Sequence, residues 1–167
     1  FIMIKFYSIN KSDKPIKKKI INSIKKIIKK NNFIRGDEVE QFENKFSKYC
    51  GSKYAISCSN GTDAITLALL SLNIKKNSEV ILPAMTYAAT FYAIINAGLK
   101  PVLVDINAND PLINIEIIRN KITKKTKVII PVHLYGSVVN IAELKKKINK
   151  KIYIVDDCAQ AHGAKYN

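Results

Sequence analysis

The chain has 167 residues, 47% of them apolar, and a formal charge of +15, so it can bury one sizeable core and the expectation is one domain. The charge does not signal nucleic acid or an anionic membrane: of 28 basic residues only Arg35 and Arg119 are arginine, whereas phosphate-reading surfaces favour arginine's planar fork. No apolar run approaches the ~20 residues of a bilayer span, no signal peptide is evident, and three scattered cysteines, Cys50, Cys58 and Cys158, fit reduced thiols of a cytoplasmic protein.

After Pro15, the residues Ile16, Ile20, Ile21, Ile24, Ile27 and Ile28 fall at helical spacing with lysines opposite, which predicts a basic amphipathic helix. Its isoleucine stripe is expected on a core or subunit interface; a membrane-surface helix is the sharper alternative. Gly36 breaks the chain, and acidic Asp37 and Glu38 open a second helical pattern through Val39, Phe42 and Phe46, since acids suit a helix N-terminus. The expected division is an N-terminal helical segment over 1–36 and a partial cofactor-binding large domain over 37–167.

Short apolar runs then alternate with helical patterns. Strands are predicted at 54–58, 79–82, 101–105, 127–132 and 152–155, and helices at 64–72, 115–122 and 141–148. This alternation predicts an α/β fold with a largely parallel sheet. The strands are apolar throughout, as expected when helices cover both faces.

Sites in such sheets lie beyond the strand carboxyl ends, and three of those positions are chemically unusual. Ser59-Asn60-Gly61-Thr62-Asp63 leads into a helix, where exposed amides, a close approach at Gly61 and the Thr62 hydroxyl could hold a phosphate; the same residues equally make a tight turn and a helix cap. Tyr87, among small residues after the second strand, could stack on a flat heterocycle or simply pack.

Asp156 and Asp157 follow the last apolar run, where buried charge requires a cationic partner. A metal could serve, with Asp156, Asp157, Cys158, His133 and His162 as possible ligands, but the ligand spacing matches no recognised site. A protonated pyridine nitrogen could serve as well, because a facing carboxylate keeps the ring an electron sink.

Four runs carry a more specific signal: NFIRGDEVEQFENKFSKYCGSKYAISCSNGTDAITLALLSL, SEVILPAMTYAATFYAIINAGLKPVLVDI, TKVIIPVHLYGSVVNIAEL and IVDDCAQAHGA. In order and approximate spacing they resemble the DegT-type (DegT/DnrJ/StrS) sugar aminotransferases, from about Phe33 to Ala164. The resemblance implies the large domain of the type I aspartate-aminotransferase fold, truncated at its C-terminus, and the cofactor pyridoxal 5'-phosphate. It implies that Gly61 and Thr62 hold the cofactor phosphate, with Asp63 in the same loop, that Tyr87 stacks on the ring, that Asp157 pairs with the ring nitrogen and that Gln160 lies at the ring's hydroxyl side. Asp156 stands where a glutamate is common in the family.

No catalytic residue is assigned within this chain: the resemblance places the cofactor lysine a couple of dozen residues beyond the motif ending at Ala164, and Lys165 is too close to be it. The implied reaction is amine transfer from an amino acid such as glutamate to a nucleotide-linked keto-deoxy sugar, feeding surface-polysaccharide synthesis, in a homodimer with no nucleic-acid or membrane partner. A sugar deoxygenase-type relative using pyridoxamine phosphate, with histidine in place of the lysine, is the alternative enzyme. A non-catalytic truncated product, with apolar edges left open and poor solubility, is the alternative from another class. A dinucleotide-binding domain ranks last, because no GxGxxG follows the first predicted strand.

Overall fold

A computed structural model describes residues 14–166; residues 1–13 of the expected N-terminal segment and Asn167 lie outside them. The chain divides between Ser57 and Cys58 into two compact units. In the first, α1 (Lys14–Lys30) and α2 (Asp37–Cys50) are the two predicted helices. Pro15 sits in the first turn of α1, where its missing N–H costs no bond, and Lys29 and Lys30 sit in the last, facing the negative helix end. The isoleucine stripe stays open to solvent: Ile16, Ile20, Ile21, Ile24 and Ile28 are each 50% exposed or more. It therefore belongs to no core formed by the described residues.

Helix α2 carries Asp37, Glu38 and Glu40 in its first turn. It ends at Gly51, whose φ of 67° is the left-handed conformation that closes a helix; Ser52 N–H then reaches back to Ser47 O at 2.9 Å. Residues 54–58, predicted as a strand, form none. Tyr54 and Ile56 are 71% and 80% exposed, and the Ser57 N–H bonds the Glu43 side chain at 2.6 Å rather than a strand. An apolar run becomes a strand only where a neighbouring edge takes its amides.

The second unit is the expected α/β layer structure. Its helices are α3 (Gly61–Ser71), α4 (Ala88–Asn96), α5 (Ile115–Lys121) and α6 (Ile141–Lys147), and its strands β1 (Glu79–Pro83), β2 (Lys100–Val104), β3 (Thr126–Ile129) and β4 (Tyr153–Ile154). All pairings are parallel, in the order β2-β1-β3-β4. Helix α4 was not predicted. Its sequence, AATFYAIIN, is apolar on its exposed face as well: Thr90, Ala93 and Ile94 are buried while Tyr92 and Ile95 stay open to solvent, so no polar stripe marks the helix.

Every residue of β1 is buried, and alternate side chains feed two cores. Val80 and Leu82 join Leu69, Ile94, Val128 and Ile130; Ile81 joins Val104, Ile118, Ile129 and Leu144. The first core takes residues of α3 and α4 and the second of α5 and α6, so helices cover both faces. The right-handed crossover rule explains the split. From β1 the chain moves one way across the sheet to β2, then reverses to reach β3 and β4, and reversal puts the later helices on the opposite face.

The strand ends opposite the carboxyl side are tied by Glu79, only 9% exposed. Its Oε2 accepts from Thr123 Oγ1 at 2.5 Å and Thr126 Oγ1 at 3.2 Å. Helix caps repeat one device: Asn60, Asn114 and Asn140 each accept a first-turn amide with the side-chain oxygen.

These features rank two substitutions. Leu82→Ala empties a fully buried position and is expected to lower unfolding free energy by about 2–5 kcal/mol, whereas Asn114→Ala, losing a cap, costs about 1 kcal/mol. Denaturant midpoints check the order; equal losses would refute it.

Candidate active site

The carboxyl ends of β1, β3 and β4 open on a cleft of about 640 Å³. It stands where the crossover from β1 and the crossover entering β3 diverge, the switch point at which ligand sites in open parallel sheets occur. Gly61, Thr62, Tyr87, Asp157 and Gln160 all line it, although more than 95 positions separate the first from the last. Asp63 does not line it: its carboxylate bonds the Ser59 hydroxyl and Asn60 Nδ2, so it braces the loop.

The α3 end contributes donors. Asn60 Oδ1 accepts the Asp63 N–H at 2.9 Å and Asn60 O accepts the Ala64 N–H at 3.0 Å. The Gly61 and Thr62 N–H groups have no such acceptor among the described residues. A Cβ on Gly61 would meet nothing within 4 Å, so the space beside these donors is open. Two unsatisfied amides at a positive helix end are suited to a phosphate.

Tyr87 is the N-cap residue of α4 and makes no side-chain cap bond; its ring is 75% exposed at the cleft. An uncovered aromatic face there is free for stacking on a planar ligand. Asp157 is fixed on four sides. Its N–H bonds Pro131 O and its carbonyl accepts the His133 N–H, both at 3.0 Å, continuing the β3–β4 ladder to the Val132–Asp157 bridge. Its Oδ2 accepts from Thr90 Oγ1 at 2.9 Å, and Oδ1 accepts the Ala159 N–H at 3.2 Å.

Gln160 Oε1 accepts the Tyr135 N–H at 2.8 Å, which leaves the Nε2 amide as the outward donor. Tyr135 supplies that bond from a left-handed backbone, φ 55°, in the 3-10 turn Leu134–Gly136. Such a conformation is uncommon for a residue with a side chain.

His133 is 5% exposed. Its Nδ1 accepts the Val139 N–H at 3.0 Å, and its Nε2 lies 3.5 Å from Asp156 Oδ1. The hydrogen bond to Asp156, and after it that to Cys158, favours the charged ring and pulls its pKa upward from 6.5 toward about 9, against burial. Val139 opposes protonation directly, because a proton on Nδ1 would face the Val139 N–H. That contact prevails: the ring is neutral, protonated on Nε2 toward Asp156. His133 is thus held at both ring nitrogens, by the Val139 N–H and by Asp156. His162 lines the cleft.

Sequence reasoning missed Thr86 and Thr90, which also line the cleft. Their i, i+4 spacing at the start of an unrecognised helix was the available signal. Among the described residues no group of three or more His, Cys, Asp and Glu is arranged to hold a metal, and no helix is long and apolar enough to cross a membrane.

Nitrogen NMR at pH 7 is expected to show His133 protonated at Nε2 and bare at Nδ1, with stability nearly flat between pH 6.5 and 9. A ring whose folded pKa were raised to about 9 would instead contribute stability in full below pH 6.5 and lose it as pH rises through 9. That profile would overturn the neutral assignment.

Residues 14–167 match the DegT/DnrJ/EryC1/StrS aminotransferase family. The chain is 40% identical over 168 residues to the dTDP-3-amino-3,6-dideoxy-alpha-D-galactopyranose transaminase of Aneurinibacillus thermoaerophilus, covering 99% of this chain and 46% of that protein. It superposes on NtdA of Bacillus subtilis, solved with the cofactor PMP bound, with a TM-score of 0.86 and 35% identity over 90% of this chain and 35% of the other. It also superposes on E. coli GDP-4-keto-6-deoxy-D-mannose-3-dehydratase with bound hydrated PLP, with a TM-score of 0.82 and 33% identity over 88% of this chain and 40% of the other. The chain spans less than half the length of these relatives. Sequence and architecture agree, and the chain belongs to the DegT/DnrJ/EryC1/StrS aminotransferase family.

Proposed function

We propose that the protein containing this chain binds pyridoxal 5'-phosphate in the cleft and transfers an amine from an amino acid such as glutamate to a nucleotide-linked keto-deoxy sugar. The observation that carries this reading is the convergence of unsatisfied α3 amides, an uncovered aromatic ring, a fixed carboxylate and an oriented amide on one cleft. The donor set fits the cofactor group by group: anion at a helix N-terminus, ring face on an aromatic, and cationic nitrogen against a carboxylate.

When bound, the cofactor supplies an electron sink in its protonated pyridine ring. Gly61 and Thr62 would hold its phosphate through backbone N–H groups and the Thr62 hydroxyl. Tyr87 would cover one ring face and exclude water from it. Asp157 would hold the proton on the ring nitrogen, and Gln160 Nε2 would donate at the ring's hydroxyl side. Asp63 acts one step back, bracing the loop through Ser59 and Asn60. The homodimeric state, the cytoplasmic location and a role in polysaccharide synthesis belong to the same reading.

A second reading is a sugar dehydratase using the aminated cofactor, favoured by the superposition on the E. coli enzyme. The two diverge at the residue that meets the cofactor's reactive carbon: lysine for transfer, histidine for dehydration.

In the full-length protein, titration with pyridoxal 5'-phosphate is expected to give a new visible absorption band. Tyr87→Ala should weaken binding about tenfold through the lost stacking and covered area. Asp157→Asn should slow amine transfer from glutamate about a hundredfold or more, the scale of losing a preorganised electrostatic partner. A protein that develops no band refutes the reading.

A further inference from the structure

Resting on the assignment of Asp157 to the ring nitrogen, we propose that Thr90, aligned by Thr86, is the positioning residue that aims the Asp157 carboxylate into the cleft. The backbone of Asp157 is fixed by the ladder bonds to Pro131 and His133, but its carboxylate turns about a soft sp³–sp² torsion that packing alone does not define. Donors must set that plane. Thr90 Oγ1 donates to Oδ2 at 2.9 Å, and the Ala159 N–H donates to Oδ1 at 3.2 Å. Each oxygen holds one donor, which fixes the plane and leaves lone pairs on both for a ligand.

The direction of the chain of hydroxyls follows from proton counting. Thr90 has one hydroxyl proton and spends it on Asp157, so across the 3.0 Å contact between Thr86 Oγ1 and Thr90 Oγ1 Thr86 is the donor. Thr90 is 1% exposed, so water does not substitute for it. Both threonines flank Tyr87, and the one turn that would place an aromatic on the ring face therefore also aims the carboxylate at the ring edge. Face and edge contacts are registered by the same three residues.

The test uses the full-length protein and pyridoxal 5'-phosphate, with two readouts: the dissociation constant, and the pH at which the bound cofactor's absorption spectrum loses the ring-nitrogen proton. Thr90→Val, near-isosteric but without the hydroxyl, is expected to weaken binding about tenfold and to move the spectral transition to lower pH. Thr90→Ser, which restores the hydroxyl, should stay within about threefold of wild type. In an Asp157→Asn background Thr90→Val should add little, since the two act as one unit. If Thr90→Val does not fold, Thr86→Val is read instead and should weaken binding about threefold. The proposal is overturned if the folded Thr90 or Thr86 variant matches wild type while Asp157→Asn loses affinity, or if Thr90→Val weakens binding equally with and without Asp157. If Asp157→Asn changes neither readout, the underlying assignment of Asp157 fails and the proposal with it.

Discussion

The cleft depends on one constraint: β1 and β3 run parallel side by side while the crossovers that serve them lie on opposite faces of the sheet. A parallel strand buried on both faces has no room for polar side chains along its length, and β1 has a fully buried sequence, EVILP. Its first residue shows the cost, because Glu79 is tolerated only with two threonine hydroxyls on its carboxylate. Polar chemistry is therefore pushed past the carboxyl ends. There the diverging helices leave a gap that side chains from three strand ends can share.

What converges there is held by backbone more than by side chains. The Asp157 main chain completes the parallel ladder, Tyr135 offers its N–H to Gln160 from a left-handed turn, and Asn60 takes the third amide of α3 so that the first two remain open. Each feature consumes hydrogen-bonding capacity on the protein side and leaves a defined remainder facing the cleft. That remainder is two amides, a carboxylate edge and an amide Nε2 at one cleft.

The fold was legible wherever burial and period agreed. Strands at 79–82, 101–105 and 152–155 and helices at 115–122 and 141–148 were placed within a residue or two of β1, β2, β4, α5 and α6, because continuous apolar runs bounded by Asn, Lys and Gly permit little else. Predicted strand 127–132 outruns β3 because the ladder is interrupted past Ile129: the Ile130 N–H bonds Ile81 O, and Val132 meets Asp157 only as an isolated bridge carried by Pro131 O and the His133 N–H. Residues 54–58 misled for the opposite reason: strand composition without a strand neighbour. Helix α4 was hidden by the apolar Tyr92 and Ile95 on its exposed face, and with it Thr90. Gly61, Thr62 and Tyr87 each had a bland local explanation as turn, cap or packing, Asp157 fitted a metal as well as a ring nitrogen, and Gln160 carried no local signal; the four-run resemblance singled them out, and the geometry then brings those five to one cleft.

The paired carboxylates show how a strand period separates chemistry that sequence alone runs together. Asp156 and Asp157 are neighbours in sequence, and two such charges on one ligand would repel each other. In an extended chain successive side chains leave on opposite sides. Asp156 accordingly turns to His133, while Asp157 turns to Thr90. The neutral His133 ring lies 3.5 Å from Asp156 Oδ1 without adding a positive charge beside the cleft. Where a glutamate is usual, the shorter Asp156 still lies 3.5 Å from the buried His133 imidazole while lining the cleft beside Asp157. The pleat of the chain thus sends the two neighbouring carboxylates to different partners.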